Sequence, residues 1–334
     1  MDERILELHK SATVVDTHCD TLLRVLGRSQ AYGQKPAPYR LRERHAEGHI
    51  DLPRLQDGGV DVQFFAAYIE PIYKPDRSLK RTLQIFDAFF TELAANEDQM
   101  MLVQCAADIT AAQAAGKLAA VMAIEGGEAL EGDLGVLRVL HRLGLRAIGL
   151  TWNERNNIAD GVGDCRSAGG LSEFGAALIA EMNRLGILVD VSHLSDPGFW
   201  DVISLSKQPI IASHSNARAV CNHRRNLTDD QIKALAKNGG VMGMNFCAAF
   251  VREDGQPTLD DLLNHIDHIA QLVGPEHVGL GSDFDGISAA PEGLSDASKM
   301  PLITEGLVKR GYSDQQIRLI LGENYLRVFR QVWG

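Results

Sequence analysis

Short apolar runs alternate with amphipathic segments along the whole chain, and this alternation restricts the fold more than any other feature of the sequence. The apolar runs are mostly β-branched and lack a strict apolar–polar alternation, which is typical of strands covered on both faces. Eight runs lie at residues 13–16, 60–68, 119–124, 146–151, 187–191, 210–212, 240–244 and 277–280. Apolar residues at three- and four-residue spacing predict helices over 83–95, 171–185, 229–237 and 259–272.

Eight strands alternating with helices predict an α/β fold in which a parallel sheet closes into a (β/α)8 TIM barrel. Thr228 and Ser313 each precede a helical segment as capping residues. An open doubly wound sheet is the alternative, but no glycine-rich dinucleotide motif follows the first strand. Because no repeat or shift in composition marks a boundary, we expect residues 1–334 to form a single domain.

Composition argues against several classes of partner. The chain has 33 basic and 44 acidic residues and a formal net charge of -11, with no basic stripe interleaved with aromatic residues, so we do not expect nucleic-acid binding. No apolar run is long enough for a membrane span, and the first residues resemble an amphipathic helix rather than a signal peptide. Five scattered cysteines without a CxxC pair favour a reducing compartment. These features predict a cytoplasmic protein without a membrane partner.

Polar residues follow the predicted strands at their carboxyl ends. Active sites of (β/α)8 barrels form at that end, so residues that are distant in the sequence meet there. The residues at these positions are His18, Asp20, Glu125, Trp152, Asn153, His193, His214, Asn245 and Asp283.

The histidines and carboxylates of this set have the chemistry of a metal site. His18 and Asp20 are two residues apart and can face the same way. Imidazole and carboxylate together suit zinc and other divalent ions. Taken alone, each has an ordinary alternative: a polar strand end for His18 and Asp20, a salt bridge to arginine for Glu125, and a satisfied core residue for His193 or His214.

Taken together, five such ligands are too many for one four-coordinate zinc with an open position. They suit two ions that share one carboxylate and hold a hydroxide between them. Asp283 is not needed as a sixth ligand, so we expect it to transfer protons. His265 and His268 lie three residues apart on an amphipathic helix and are expected at the surface.

A basic segment at residues 223–225 follows the sixth predicted strand. A guanidinium there can bind a substrate carboxylate through two hydrogen bonds. A solvated basic loop is the alternative interpretation.

With these residues in this order, the sequence resembles the renal-type, or membrane, dipeptidase family of zinc peptidases. The resemblance runs through most of the chain, with the family's blocks in the family's order. The blocks are DTHCDT, GHIDLPRLQDGGVDVQFF, IEGGE, LVDVSHLSD, SHSNARAVCNHRRNLTDD, GVMGMNF, HVGLGSDFDG and GENYLRV.

The resemblance implies a (β/α)8 barrel that holds two zinc ions, although other divalent ions fit the same ligands. By position, His18 and Asp20 would bind one ion, His193 and His214 the other, and Glu125 would bridge them.

The resemblance also implies the substrate and its contacts. Family members cleave dipeptides, often with a D-residue at the C-terminal position, and are commonly dimeric, so a homodimer is implied here too. Asp283 would handle the proton of the attacking water and of the leaving amine. Arg225 would bind the terminal carboxylate of the substrate.

One position departs from the family pattern. Where well-studied members carry a histidine that helps to hold the scissile carbonyl, this chain has Trp152. An indole N–H is a single neutral donor, so help for the oxyanion would come from the metal, Asn153 or elsewhere. Two alternatives therefore stay open: a binuclear hydrolase of another small amide, lactam or ester, and a catalytically silent metal-binding barrel.

Overall fold

A computed structural model describes residues 2–27, 39–164, 166–167 and 169–334. The described residues contain nine strands, numbered here in chain order. They are β1 (Val15–Asp16), β2 (Val62–Tyr68), β3 (Met100–Leu102), β4 (Leu118–Glu125), β5 (Leu145–Gly149), β6 (Leu188–Asp190), β7 (Ile211–Ala212), β8 (Val241–Met244) and β9 (Val278–Leu280).

Eight of these strands form a closed parallel barrel. The order around it is β1, β2, β4, β5, β6, β7, β8, β9, and the ring closes where Asp16 of β1 pairs with Leu280 of β9. The predicted (β/α)8 barrel is therefore confirmed, and each of the eight predicted runs contains or overlaps one barrel strand.

Strand β3 is additional to the eight predicted runs. It pairs with residues 118–120 of β4, whereas β5 pairs with the same strand further along, at residues 122–125. Since β2 occupies the other edge of β4 over its whole length, β3 and β5 share one edge. The prediction did not include this strand, although residues 100–102 are apolar, because eight other runs already account for a closed barrel.

Helices connect the strands, as the amphipathic segments predicted. Thr228 and Ser313 both form capping boxes, in which the cap hydroxyl and a glutamine three residues later satisfy each other's backbone N–H groups. No helix among the described residues combines the length and apolarity needed to cross a bilayer. The helices are α1 (Glu3–Ser11), α2 (Thr21–Val25), α3 (Leu52–Asp57), α4 (Ser78–Ala95), α5 (Ala106–Ala114), α6 (Leu134–Arg142), α7 (Glu173–Leu185), α8 (Asp196–Leu205), α9 (Asp229–Lys237), α10 (Ala248–Val251), α11 (Leu259–Val273), α12 (Pro301–Lys309), α13 (Asp314–Arg318) and α14 (Asn324–Trp333).

The expected surface position of His265 is wrong. Its side chain is fully buried on the inner face of α11. Its Nδ1 accepts a hydrogen bond from the backbone N–H of Ala217 at 3.1 Å, so Nε2 carries the proton and donates to the carbonyl of Val251 at 3.0 Å. His265 thus links the loop that follows β7 to the end of α10, which follows β8.

Helix α14 lies across the amino ends of the strands and covers the apolar interior of the barrel. Tyr325 and Phe329 belong to the same buried cluster as Phe64 and Val121 of the strands. The Trp333 indole donates to the carbonyl of Arg146 at 3.3 Å, at the start of β5. We call this the closed end of the barrel, and the carboxyl ends of the strands the open end.

Candidate metal centre and its surroundings

The side chains predicted to bind metal meet at the open end of the barrel. His18 follows β1, Glu125 is the last residue of β4, His193 follows β6 and His214 follows β7. With Asp20 they are all buried, none more than 7 % exposed. The alternation along β4 explains the position of Glu125, because Ala119, Val121 and Ala123 face the barrel interior and the next inward position is residue 125.

Three acceptor atoms face one another on one side of this cluster. His193 Nε2 lies 3.0 Å from Glu125 Oε1, and His214 Nε2 lies 3.4 Å from the same oxygen. The two Nε2 atoms are themselves 3.0 Å apart.

The other ring nitrogens of these histidines fix where their protons are. His193 Nδ1 is 3.0 Å from Asn153 Oδ1, an oxygen that only accepts, so the imidazole donates there. His214 Nδ1 donates to Ser213 Oγ at 2.7 Å, because that hydroxyl donates its own proton to Asp190 at 2.5 Å. Both Nε2 atoms therefore present lone pairs to the site, as in metal-binding histidines held by an outer partner.

Burial keeps these rings neutral. It lowers the pKa of His193 to about 3, reinforced by the nearby Arg225 charge, and it lowers the pKa of His214 well below its ordinary value. Two neutral nitrogen lone pairs and a carboxylate oxygen at these distances repel one another unless a cation lies among them. The donor set fits a divalent metal ion.

A second group of acceptors lies beside the first. His18 Nε2 is 3.6 Å from Glu125 Oε2, 3.7 Å from Asp20 Oδ2 and 4.0 Å from Asp283 Oδ1. Within the described part of the chain, His18 Nε2 and Asp20 Oδ1 are buried without a hydrogen-bond partner. Burial and the neighbouring Glu125 raise the pKa of Asp20 to about 7, which reflects the cost of crowding carboxylates here. A second cation fits this group, with Glu125 common to both.

The backbone is strained where two of these side chains enter the site. His193 and Asp283 have φ angles of 68° and 62°, in the left-handed region that most side chains avoid. Gly286 has a different role: a Cβ at this position would collide with the carboxylates of Asp20 and Asp283. A glycine is required for these two acids to approach each other.

The amide side chain of Asn245 holds Asp283 in place. Asn245 Nδ2 donates to Asp283 Oδ2 at 2.9 Å, and it also lies 3.2 Å from the carbonyl of His214. Burial, together with the Glu125 charge, raises the pKa of Asp283 to about 6 against the opposing effect of His18. A carboxyl with a pKa near neutrality can both accept and return a proton.

A cavity of about 310 Å³, called here the central cavity, opens over the cluster. Trp152 and Asn153 line one wall, and Trp152 packs against Tyr68 with 5.2 Å between ring centroids. Phe250 and Cys247 line the opposite wall.

Arg225 lies behind the Phe250 wall. Its guanidinium is 5.3 Å from the centroid of the Phe250 ring, and its terminal nitrogens contact the carbonyl of His214 and the hydroxyl of Ser215 at 3.0 and 3.3 Å. The Nε atom is buried and has no hydrogen-bond partner among the residues described. Burial lowers the pKa of Arg225, as expected for a cation without a nearby ion pair.

A family model for membrane dipeptidases, peptidase family M19, matches residues 2–333. The chain belongs to this family. It is a metallo-dipeptidase, and the resemblance noted in the sequence is confirmed over essentially the whole chain.

Individual relatives of the metallo-dipeptidase agree with this assignment. An uncharacterized dipeptidase of Schizosaccharomyces pombe is 38% identical over 347 residues, covering 98% of this chain and 82% of the yeast protein. The structure of an M19 metallopeptidase described as dipeptidase AC superposes with a TM-score of 0.86 at 32% identity, covering 97% of this chain and 99% of that one. A metallopeptidase from Rhodobacter sphaeroides, bound to a phosphinate mimic of the dipeptide L-Ala-D-Ala, gives a TM-score of 0.86 at 30% identity, with coverage of 96% and 99%.

Several residues that shape the site of this metallo-dipeptidase had no signal of their own in the sequence. Asp190 and Ser213 orient His214, and Gly286 makes room for two acids. Asn153 was expected to contact substrate, but its oxygen also orients His193. The sequence shows which polar residues follow the strands. Which of these residues contact one another is known only from the three-dimensional structure.

Proposed function

We propose that the chain hydrolyses dipeptides with two divalent ions, zinc first among them. His18 and Asp20 would hold one ion, His193 and His214 the other, and Glu125 would bridge the two. The observation that carries this proposal is the pair of buried acceptor groups that share Glu125, one of which contains His18 Nε2 and Asp20 Oδ1 without a hydrogen-bond partner among the described residues. When bound, such ions supply an activated hydroxide between them and polarise the scissile carbonyl.

Asp283 is proposed to move the protons. It would take the proton of the attacking water and give it to the departing amine. The raised pKa of Asp283 suits this role. So does the hydrogen bond from Asn245, because it engages Oδ2 and leaves Oδ1 available.

Arg225 is proposed to bind the terminal carboxylate of the substrate. A buried guanidinium with an unpartnered Nε in the described structure gains most from an anionic partner. Phe250, which lines the central cavity, holds the guanidinium in place.

Trp152 and Asn153 are proposed to contact the substrate from the opposite wall. The Oδ1 of Asn153 is engaged by His193, so its Nδ2 is the group that remains for a carbonyl oxygen. Trp152 narrows the central cavity beside Tyr68. Because the family histidine is absent here, hydrolysis of another small amide, lactam or ester is the second candidate function.

We further propose that dipeptides with a C-terminal D-residue are among the substrates, which the dipeptide mimic bound by the Rhodobacter sphaeroides relative supports. We also propose that residues 1–334 form one domain, that the chain assembles as a homodimer and that it acts in the cytoplasm. Four cysteines are free, while Cys165 lies outside the described residues. Light scattering and cell fractionation test the assembly and the location.

The first experiment is hydrolysis of a panel of L,L- and L,D-dipeptides by the purified chain, with metal content measured on the same sample. We expect roughly two zinc ions per chain and dipeptide turnover that chelation abolishes. Full zinc content without dipeptide turnover would contradict the peptidase proposal. It would identify Trp152 as a change of specificity and direct the search to N-acyl amino acids and lactones.

A further inference from the structure

A second cavity, called here the lateral cavity, lies next to the central cavity. It has a volume of about 760 Å³, and Pro71 lines both. Its charged lining follows β2, β4 and β5 and is dominated by carboxylates. The charged residues are Lys74, Asp76, Glu128, Glu131, Glu154 and Arg155.

The two cations of the lateral cavity are already engaged. Arg155 binds Asp160, which lies outside the lining, with its NH2 group 3.1 Å from Asp160 Oδ2. Lys74 Nζ lies between Glu128 Oε1 at 3.1 Å and Glu154 Oε2 at 3.2 Å. One lysine thus faces an excess of carboxylates, so the cavity carries net negative charge.

Glu128 carries a charge that the described residues satisfy only in part. Its side chain is only 6% exposed, and its Oε2 has no hydrogen-bond partner in the parts of the chain that the structure describes. Burial raises the pKa of Glu128, although Lys74 opposes this effect. A buried carboxylate oxygen without a donor is costly unless a cationic group reaches it.

The position of the lateral cavity defines which part of a dipeptide would reach it. Arg225 follows β7, the sixth strand around the barrel, and β2 is the second, so the two lie on opposite sides of an eight-strand ring. If Arg225 binds the C-terminal carboxylate and the scissile carbonyl lies over Glu125, the N-terminal residue extends toward β2 and β4. Its side chain would then point to the lateral cavity.

We infer that the lateral cavity is the subsite for the N-terminal side chain of the substrate and selects cationic side chains, those of arginine and lysine. This inference rests on the proposed function and names its substrate class. Glu128 and Glu154 both contact Lys74, whose ammonium lies 5.4 Å from the centroid of the Trp152 ring, and Trp152 lines the central cavity.

The test compares dipeptides that differ only in the charge of the N-terminal side chain. Arginyl-alanine and citrullinyl-alanine have nearly the same shape, with the chirality of alanine chosen from the panel above. We expect kcat/KM for the arginyl substrate to exceed that for the citrullinyl one about fivefold to tenfold, the size of one partly buried ion pair.

Two variants assign the preference to this cavity. Glu128→Gln, or the more exposed Glu154→Gln if the first fails to fold, should reduce the ratio toward one. Glu305→Gln, which removes a carboxylate on α12, is the matched control and should keep the wild-type ratio. A wild-type ratio of one, or a ratio that neither variant lowers, would overturn the inference while dipeptide hydrolysis persists. Absence of any dipeptide turnover with zinc bound would instead contradict the proposed function, and this inference with it.

Discussion

At its closed end the barrel is filled by apolar side chains of α14, whereas at its open end the same strands finish in buried histidines and carboxylates. Tyr325 and Phe329 pack against strand residues, and the Tyr325 hydroxyl is 3.0 Å from Thr17 Oγ1. The open end instead contains His18 Nε2 and Asp20 Oδ1 without partners in the described structure. The closed end is satisfied by the chain itself, while the open end is completed by something the chain must bind.

The largest effect expected at the open end is the loss of turnover in Asp283→Asn. We expect kcat to fall by about 10²–10⁴-fold, the usual contribution of a general acid–base residue, with metal content unchanged. Rate and bound metal should be measured on the same preparation, beside Asp254→Asn as an exposed control. A variant with wild-type turnover would exclude Asp283 as the proton carrier, and one that has lost its metal would indicate that Asp283 is a ligand.

The closed end should respond in stability rather than in chemistry. Phe329→Ala removes a fully buried ring that stacks on Trp333 and Tyr325, so we expect the free energy of unfolding to fall by about 3–5 kcal/mol. Urea unfolding measures this change, and Leu205→Ala, at a residue 43% exposed, is the control with little effect. The folded variant should keep its metal content. If Phe329→Ala lost its metal but kept its stability, the closed end and the open end of the barrel would not be independent.

Removing metal should weaken the open end selectively. Without cations the crowded acceptors repel one another. We therefore expect the protein stripped of metal by a chelator to melt about 5–10 °C below the protein saturated with zinc. Hydrogen exchange should increase in peptides that contain Glu125, His193 and His214, and not in α14. Identical melting and exchange with and without metal would contradict the interpretation of these acceptors as a metal site.

The smallest of these effects concerns the orientation of His193, one of the proposed metal ligands. Asn153→Ala removes the acceptor for His193 Nδ1, and we expect metal affinity to decrease about 10- to 100-fold. Competition with a chromophoric chelator measures the affinity. Asn264→Ala, on the exposed face of α11, is the control. An unchanged affinity in Asn153→Ala would restrict this residue to substrate contact.

The two ends of the barrel also differ in how well the sequence predicts them. At the open end, strand ends followed by histidine or carboxylate gave the fold and the location of the cluster, because parallel strands must present their carboxyl ends together. The orientation of the side chains in the cluster could not be predicted in the same way. The contact of Asn153 with His193, and that of Asp190 with Ser213, joins residues from different strand ends, which a single sequence does not pair.

Other features were missed for different reasons. Strand β3 is apolar like the predicted runs, but it pairs with one neighbour outside a ring that eight strands already complete, so the count of eight left no place for it. His265 lies three residues after the buried Leu262, at the spacing of the buried face of α11, and nothing in the sequence indicated that its ring nitrogens would bond to the backbone of Ala217 and Val251. The lateral cavity was not predicted either, since its carboxylates come from three separate loops.

The closed end has a consequence for biosynthesis. β1 pairs with β9, the last strand, so the ring cannot close until every strand has left the ribosome, and the helix that covers its apolar interior follows later still. With so many contacts between distant parts of the chain, folding is expected to be slow. Throughout that interval the nascent chain exposes Phe64, Val121 and their neighbours, the side chains that a molecular chaperone binds. The apolar side chains that stabilise the folded enzyme are exposed during its synthesis, and that is the stage at which the chain is most prone to aggregate.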